Sequence, residues 1–292
     1  MEIRVLKYFI EVAREENITA AANKLHLTQP TLSKQLMALE DELGKQLFIR
    51  GKRKITLTED GVYLFNRAKE IVDLAEKTEA DLKSSDKIIE GSVAIGGGET
   101  STVKYVAKAA KRLRNEYPKI SFDIFSGNGE NVAQWLDKGL VDFGLFVGST
   151  DLKKYDYIKL PESNTWGLLM KKDDPLAENE FITPKMLKDI PLLCSRQVLI
   201  QNEMTGWLGI SPEKLNIVAT YNLIYNASIM VEQGIGCALA IDGLINTGSD
   251  STLCFRPLKP SLKADVIIAW KKYRSLSKAA SKFLEFLQNE IL

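Results

Sequence analysis

Thr28-Gln29-Pro30-Thr31-Leu32-Ser33-Lys34 gathers hydroxyls, an amide and an ammonium into two turns of chain. Groups of this kind hydrogen-bond to base edges and phosphates of nucleic acid. Thr28 is placed to cap a helix, and Pro30 falls in the first turn, where its missing N–H costs nothing. Leu32, Leu36, Leu39 and Leu43 then recur at steps of four, three and four. That stripe is expected to be buried, leaving Gln29, Pro30, Thr31, Ser33 and Lys34 at the exposed start of the helix. Such a helix is suited to entering a major groove with its N-terminus leading.

The elements around this helix must hold it in place. Ala20, Ala21 and Ala22 allow a preceding helix to pack closely, and Leu25 and Leu27 close the corner between the two. An ordinary helical hairpin would share this look. The next segment favours a winged helix-turn-helix. Leu47-Phe48-Ile49 is a short apolar run, Arg50-Gly51-Lys52-Arg53-Lys54 a basic turn, and Ile55 and Leu57 alternate with Thr56 and Thr58. A hairpin with a cationic tip beside a polar helix is a wing suited to phosphate contact. Residues 1–58 hold ten basic and seven acidic residues, net +3, and the remainder 29 and 31, net −2. So small an excess implies a few placed contacts, not a coat of cations.

From Glu59 to about Lys87 there is no proline, and Gly61 is the lone glycine. Leu64, Ala68, Ile71, Ala75, Thr78 and Leu82 step by four and three, a heptad stripe on a helix roughly 40 Å long. A dimer seam is the expected use; packing on its own domain is the alternative. After Gly91 the pattern changes to strand and helix in alternation: 92–97, 102–117, 120–126, 131–138 and 142–147. Polar surface signals return between Pro161 and Pro191. A second run follows at 215–221, 223–233 and 237–241, and the chain ends with a strand at 266–270 and a helix at 277–292. Alternation of this kind implies parallel sheets covered by helices. The fold class is α/β, and three regions are expected: a winged helix-turn-helix over 1–58, a linker helix over 59–89 and a two-lobed domain over 90–292. The first lobe takes 90–161 and 266–292, the second 162–265, with a ligand cleft between them.

Candidate ligand groups lie where strands give way to helices. Gly96-Gly97-Gly98-Glu99-Thr100-Ser101-Thr102 offers N–H groups and three hydroxyls to a carboxylate, or simply caps its helix. It matches neither a triphosphate loop nor a dinucleotide fingerprint. Glu99 either receives an ammonium or faces solvent, so an amino-acid-like effector and an organic acid both stay open. Gly127 and Asn128 form a second such turn, and Ser149 ends the third strand. In the second lobe Ser195-Arg196-Gln197 and Tyr221-Asn222 follow apolar runs; Arg196 is a counter-charge for an acid or a surface ion pair.

Residues 1–89 closely resemble the DNA-binding region of LysR-type transcriptional regulators. The match is carried by Phe9, Ala20-Ala21-Ala22, Leu25, Thr28-Gln29-Pro30-Thr31-Leu32-Ser33, Leu39-Glu40, Leu43-Gly44, Leu47-Phe48, Arg50 and Leu57-Thr58-Glu59-Asp60-Gly61. Weaker similarity covers the rest through Gly127, Gly139–Gly144 and Val231–Ala238. The resemblance implies a winged helix-turn-helix and a periplasmic-binding-protein-like effector domain, in a homodimer or a tetramer built as a dimer of dimers. It also implies that Gln29, Pro30, Ser33 and Lys34 read the groove while Arg50 and Arg53 hold the backbone. Lys34 stands where the family often has arginine, Asp242 where proline is common, and Glu99 beside the family's usual hydroxyls.

An α/β enzyme with an accessory DNA module is the alternative. It lacks a Ser-His or Cys-His pair in the large domain, since the single histidine, His26, lies in the helix-turn-helix. Cys194, Cys237 and Cys254 have no metal-like spacing, so neither a disulfide framework nor a metal or other cofactor is expected. The first seventeen residues read as a charged amphipathic helix instead of a signal core, and no apolar run approaches membrane-spanning length. A cytoplasmic protein is expected, not a secreted solute-binding one.

Overall fold

Residues 1–51, 54–83, 89–148, 150–196, 202–209 and 211–291 are described by the structure, a computed structural model of the chain. The chain divides into two compact units, Met1–Ser85 and Asp86–Leu292. Arg53, Ser149 and Gln197 lie outside the described residues, as do the side chains of Arg50 and Leu82.

The smaller unit begins with α1 (Ile3–Glu15), α2 (Ile18–Lys24) and α3 (Gln29–Leu43). Asn17 starts α2, its Oδ1 accepting from Thr19 N–H at 2.9 Å and Ala20 N–H at 3.1 Å. A turn through His26, in the left-handed region at φ 55°, swings the chain into α3. There Thr28 Oγ1 accepts from Thr31 N–H at 3.4 Å. Leu32, Leu36 and Leu39 are buried with Leu6, Phe9, Ala21 and Ala22, whereas Leu43 is 39% exposed. The expected four-leucine stripe is therefore three long: α3 stops at Gly44, and the chain leaves before anything covers the fourth.

Strands β1 (Phe48–Arg50) and β2 (Ile55–Leu57) pair antiparallel, Phe48 facing Leu57 and Arg50 facing Ile55. Helix α4 (Glu59–Lys83) follows, with Thr58 Oγ1 accepting from Gly61 N–H at 2.9 Å. Leu64, Phe65, Ala68 and Val72 pack into the unit's own core. Leu64 and Ala68 of the proposed seam are thus used internally, while Tyr63, Ile71 and Leu74 remain exposed on the neighbouring face. A methyl group at Gly61 would lie 2.1 Å from the Leu47 carbonyl oxygen. Gly61→Ala is therefore expected to destabilise this unit by about 1–3 kcal/mol, the usual range for overpacking. Thermal melting of the variant checks this, and an unchanged midpoint contradicts it.

The larger unit holds two sheets. The first, in order β4 (Ile120–Ser126), β3 (Gly91–Gly97), β5 (Phe143–Val147), β13 (Val266–Lys271), β6 (Tyr155–Lys159), is parallel on one side only. Strand β3 runs parallel to β4 and β5, and β13 antiparallel to β5 and β6. Period-two alternation decides the layers. Val93 and Ile95 face helices α5 (Val103–Glu116) and α9 (Lys278–Ile291), while Ala94 faces α6 (Gly129–Lys138).

The second sheet runs β11 (Leu253–Pro257), β7 (Asn164–Lys171), β10 (Cys237–Ile241), β8 (Leu192–Ser195), β9 (Ile217–Tyr221), with β12 (Lys263–Ala264) also on β7. Helices α7 (Asn202–Leu208) and α8 (Ile224–Glu232) accompany it. Both sheets are mixed, which corrects the parallel sheets expected from alternation: β13 and β7 each run against their neighbours. The stretch between Pro161 and Pro191, expected to be polar surface, contains β7, buried along most of its length. Gly167 interrupts its apolar run because a methyl there would meet Phe255 Cζ at 2.1 Å. No helix among the described residues is long and apolar enough to cross a membrane.

Candidate functional site

On α3, Thr28, Gln29, Pro30, Thr31 and Lys34 are exposed and Ser33 is half-buried. Gln29, Pro30, Ser33, Lys34, Met37, Ala38 and Asp41 line one shallow open face. Thr31 turns aside: its Oγ1 lies 2.8 Å from Thr28 Oγ1, so the pair shapes the first turn. Among the described residues Lys34 has no ion-pair partner, in contrast to Lys7, Lys24, Lys45 and Lys54. An unpaired ammonium one turn into a capped helix is free for an external anion.

Glu40 fixes the wing to this helix. Its Oε1 accepts from Leu47 N–H at 2.7 Å and from Phe48 N–H at 3.1 Å. At the base of the wing Lys54 Nζ lies 2.5 Å from Glu16 Oε2, and Ile55 N–H donates to the Glu16 carbonyl at 2.9 Å. Sequence reasoning gave neither glutamate a role. A half-buried acid aimed at two amides needs the turn's geometry before it can be seen.

The larger unit carries a cleft between its two sheets. The chain crosses between them twice, from β6 into β7 and from β12 into β13. At the crossing, Asp265 accepts from Lys159 Nζ at 2.5 Å and from Ser163 Oγ at 2.6 Å. These two donors hold the Asp265 carboxyl below its usual range. A depressed folded pKa contributes stability above the unfolded pKa, and that stability is lost as pH falls through the folded value. Asp265→Asn is expected to cost less than about 1 kcal/mol at pH 7, given how exposed the group is. Melting curves should converge with the parent as pH falls through the depressed folded value; a gap that stays constant with pH contradicts the assignment.

About 640 Å³ of empty space, open mouth included, lies among Gly98, Glu99, Asn128, Gly129, Leu145, Val147, Trp166, Ser195, Tyr221, Asn222, Leu223, Ile224, Ala240, Ile241 and Leu244. Of the expected ligand residues, Glu99, Asn128 and Asn222 line it. Thr100 and Thr102 do not: they are buried, their hydroxyls 2.8 Å apart, and Thr100 is bonded to buried Asn164 at 3.0 Å. The Thr100 hydroxyl thereby ties the start of α5 to the start of β7. Exposed Ser101 reaches the same Asn164 at 3.5 Å. Gly127 is closed off, for a methyl there would lie 2.5 Å from the Trp135 ring. Arg196 is exposed, donates to Thr220 Oγ1 at 3.4 Å and is not among the residues that line the cleft.

Glu99 neither faces solvent nor waits for an ammonium alone. Its Oε2 accepts from Ile224 N–H at 2.9 Å, linking the first lobe to the start of α8 in the second. Burial pushes the Tyr221 phenol far up, so it stays protonated and donates to the Leu239 carbonyl. Sequence reasoning missed the apolar lining of Leu145, Val147, Trp166, Ala240, Ile241 and Leu244. The available signal was position, since Val147 and Ile241 end strands whose carboxyl edge faces the cleft. The cysteines offer no nucleophile: all three are buried and free, with Cys194 and Cys237 pushed up to about 12.

A capped helix with an exposed polar face, and a two-lobed domain around a small cleft, are the parts of a DNA-binding regulator with a substrate-binding domain. Residues 3–62 match the bacterial regulatory helix-turn-helix of the LysR family, and residues 88–291 match the LysR substrate binding domain. The chain belongs to the LysR family of transcriptional regulators. It is 27% identical to the regulator YvbU of Bacillus subtilis over 98% of this chain and 97% of that protein. It is 28% identical to the Hca operon transcriptional activator HcaR of Escherichia coli over 100% of this chain and 98% of that protein. The regulator BsdA of Bacillus subtilis is 35% identical over 65% of this chain and 64% of that protein. Full-length CbnR, solved with its target DNA, superposes with a TM-score of 0.76 at 18% identity, covering 99% of this chain and 100% of its own. These relatives are regulators, and the enzyme alternative falls.

Proposed function

We propose that this regulator recognises a particular duplex sequence through Gln29, Pro30, Ser33 and Lys34, with Arg50 and Arg53 on the phosphates. A small molecule held in the cleft sets the affinity or the geometry of that complex. The observation that carries the reading is the exposed, unpaired polar face at the capped start of α3. CbnR, similar along its whole length, has been solved on its target DNA. A ligand can shift the regulator only by binding two lobe arrangements unequally.

Copies of the chain are proposed to associate, as a homodimer or a dimer of dimers, through the face of α4 that bears Ile71 and Leu74. A dimer presents two recognition helices to a two-fold site. Ile71→Lys is expected to shift the chain towards monomer in analytical ultracentrifugation, and an unaltered oligomer removes α4 from the interface. The cytosol, where the chromosome lies, is the proposed compartment. Function is tested by enriching duplexes from a randomised pool with the full chain at moderate ionic strength. Enrichment of one sequence is expected; a pool that stays random contradicts the reading.

A further inference from the structure

We infer that the cleft selects a neutral or cationic organic molecule over a carboxylate, and that Glu99 is the residue that imposes the choice. The inference rests on the cleft being the ligand site and names the class of ligand.

Two helix N-termini reach the cleft, α6 at Asn128–Gly129 and α8 at Leu223–Ile224. Open helix N-termini attract carboxylates. Both of these are answered from within the chain. At α6, Asn128 Oδ1 accepts from Asn131 N–H at 3.0 Å, and Asn131 Oδ1 accepts from Asn128 N–H at 3.2 Å. At α8, Leu223 has no side chain with which to cap, and Glu99 crosses from the other lobe to accept from Ile224 N–H at 2.9 Å. Its carboxylate holds the place that a ligand acid would seek.

The charge balance points the same way. Among the described residues that line the cleft, Glu99 alone is charged. The undescribed segment 197–201 and Ser149 carry no charge in the sequence. An entering acid would lie beside an anion with no counter-charge, which disfavours its ionised form. An entering amine would find the Glu99 carboxylate, with Trp166, Leu145, Val147 and Leu244 to cover an apolar body. The Trp166 ring adds a face that attracts cations.

The test uses the full chain and two matched probe sets, followed by calorimetry and melting: benzylamine, benzyl alcohol and benzoate; isoamylamine, isoamyl alcohol and isovalerate. In each set the amine is expected to bind at least tenfold tighter than the carboxylate, with the alcohol between. Glu99→Gln should bring amine and alcohol within threefold of each other and improve carboxylate binding. Its far-ultraviolet dichroism and melting confirm that it folds, and Asp242→Asn, outside the cleft lining, controls for lost charge. Tighter carboxylate binding by the parent chain, or an unchanged ranking in Glu99→Gln, overturns the inference. Silence from all six probes at millimolar concentration also counts against it. Asn222→Trp, which narrows the cleft at its rim, separates the two failures. Binding that persists unchanged in that variant shows the cleft is not the ligand site. Binding lost there with acids preferred defeats only the role of Glu99.

Discussion

Lys34→Glu is expected to weaken binding to the preferred duplex by on the order of 100- to 1000-fold, with the fold intact. Lys34 is exposed, among the described residues it has no ion pair, and it lies one turn into a helix whose first turn Thr28 organises. Losing one contact to a base edge or phosphate costs about 1–3 kcal/mol. Reversal of the charge adds repulsion from the phosphates, which together reach the stated range. Because the side chain is exposed, the melting temperature should move by no more than about 3 °C. Anisotropy titrations at several salt concentrations supply the check. The slope of log K against log salt should also fall by about one counterion for the lost cation. Equal affinity for parent and variant would discard Lys34 as a contact.

Phe143→Ala is expected to cost the larger unit about 3–5 kcal/mol, as truncating a fully buried phenylalanine commonly does. Phe143 is fully buried, its ring 5.2 Å from Phe283 and 6.1 Å from Trp270. This cluster joins β5 to α9 and β13, the segments that return from the end of the chain. The same strand carries Leu145 and Val147 into the cleft, so ligand affinity should fall together with stability. Denaturant melts followed in the larger unit check the loss. A midpoint within experimental error of the parent would mean that the cluster does not hold the lobe together.

Helix α3 was legible in the sequence because each of its signals is local. A threonine cap, a first-turn proline and leucines at helical spacing all act within fifteen residues, and the buried leucines follow that reading up to Leu39. Leu43 departs from it because what covers a helix end depends on the next turn, which the period does not encode. The long helix shows the same limit. Its stripe is plain in the sequence, but whether Leu64 and Ala68 face a partner or their own domain depends on where α1 lies.

The cleft was legible only in part. Asn128 and Asn222 follow from strand-to-helix turns. Thr100 and Thr102 carry the same local signal, yet Thr102 pairs with Thr100, and Thr100 with Asn164, 64 residues away in the chain. Strand β7 was hidden by Gly167, whose reason is a phenylalanine on the neighbouring strand. Glu99 stands out among its hydroxyl neighbours in the sequence, but its partner Ile224 belongs to the other lobe. Long-range pairings of this kind decide function and leave no periodic trace.

Cross-linking from position 34 tests most directly whether the start of α3 lies in the major groove. A Lys34→Cys chain is combined with the enriched duplex carrying a thiol tether on the major-groove edge of single bases, one base at a time. Disulfide capture is expected at a small set of bases, repeated at a two-fold-related position about one helical turn or a multiple of it away. Capture that is absent at every base, or spread evenly along the duplex, would contradict the account.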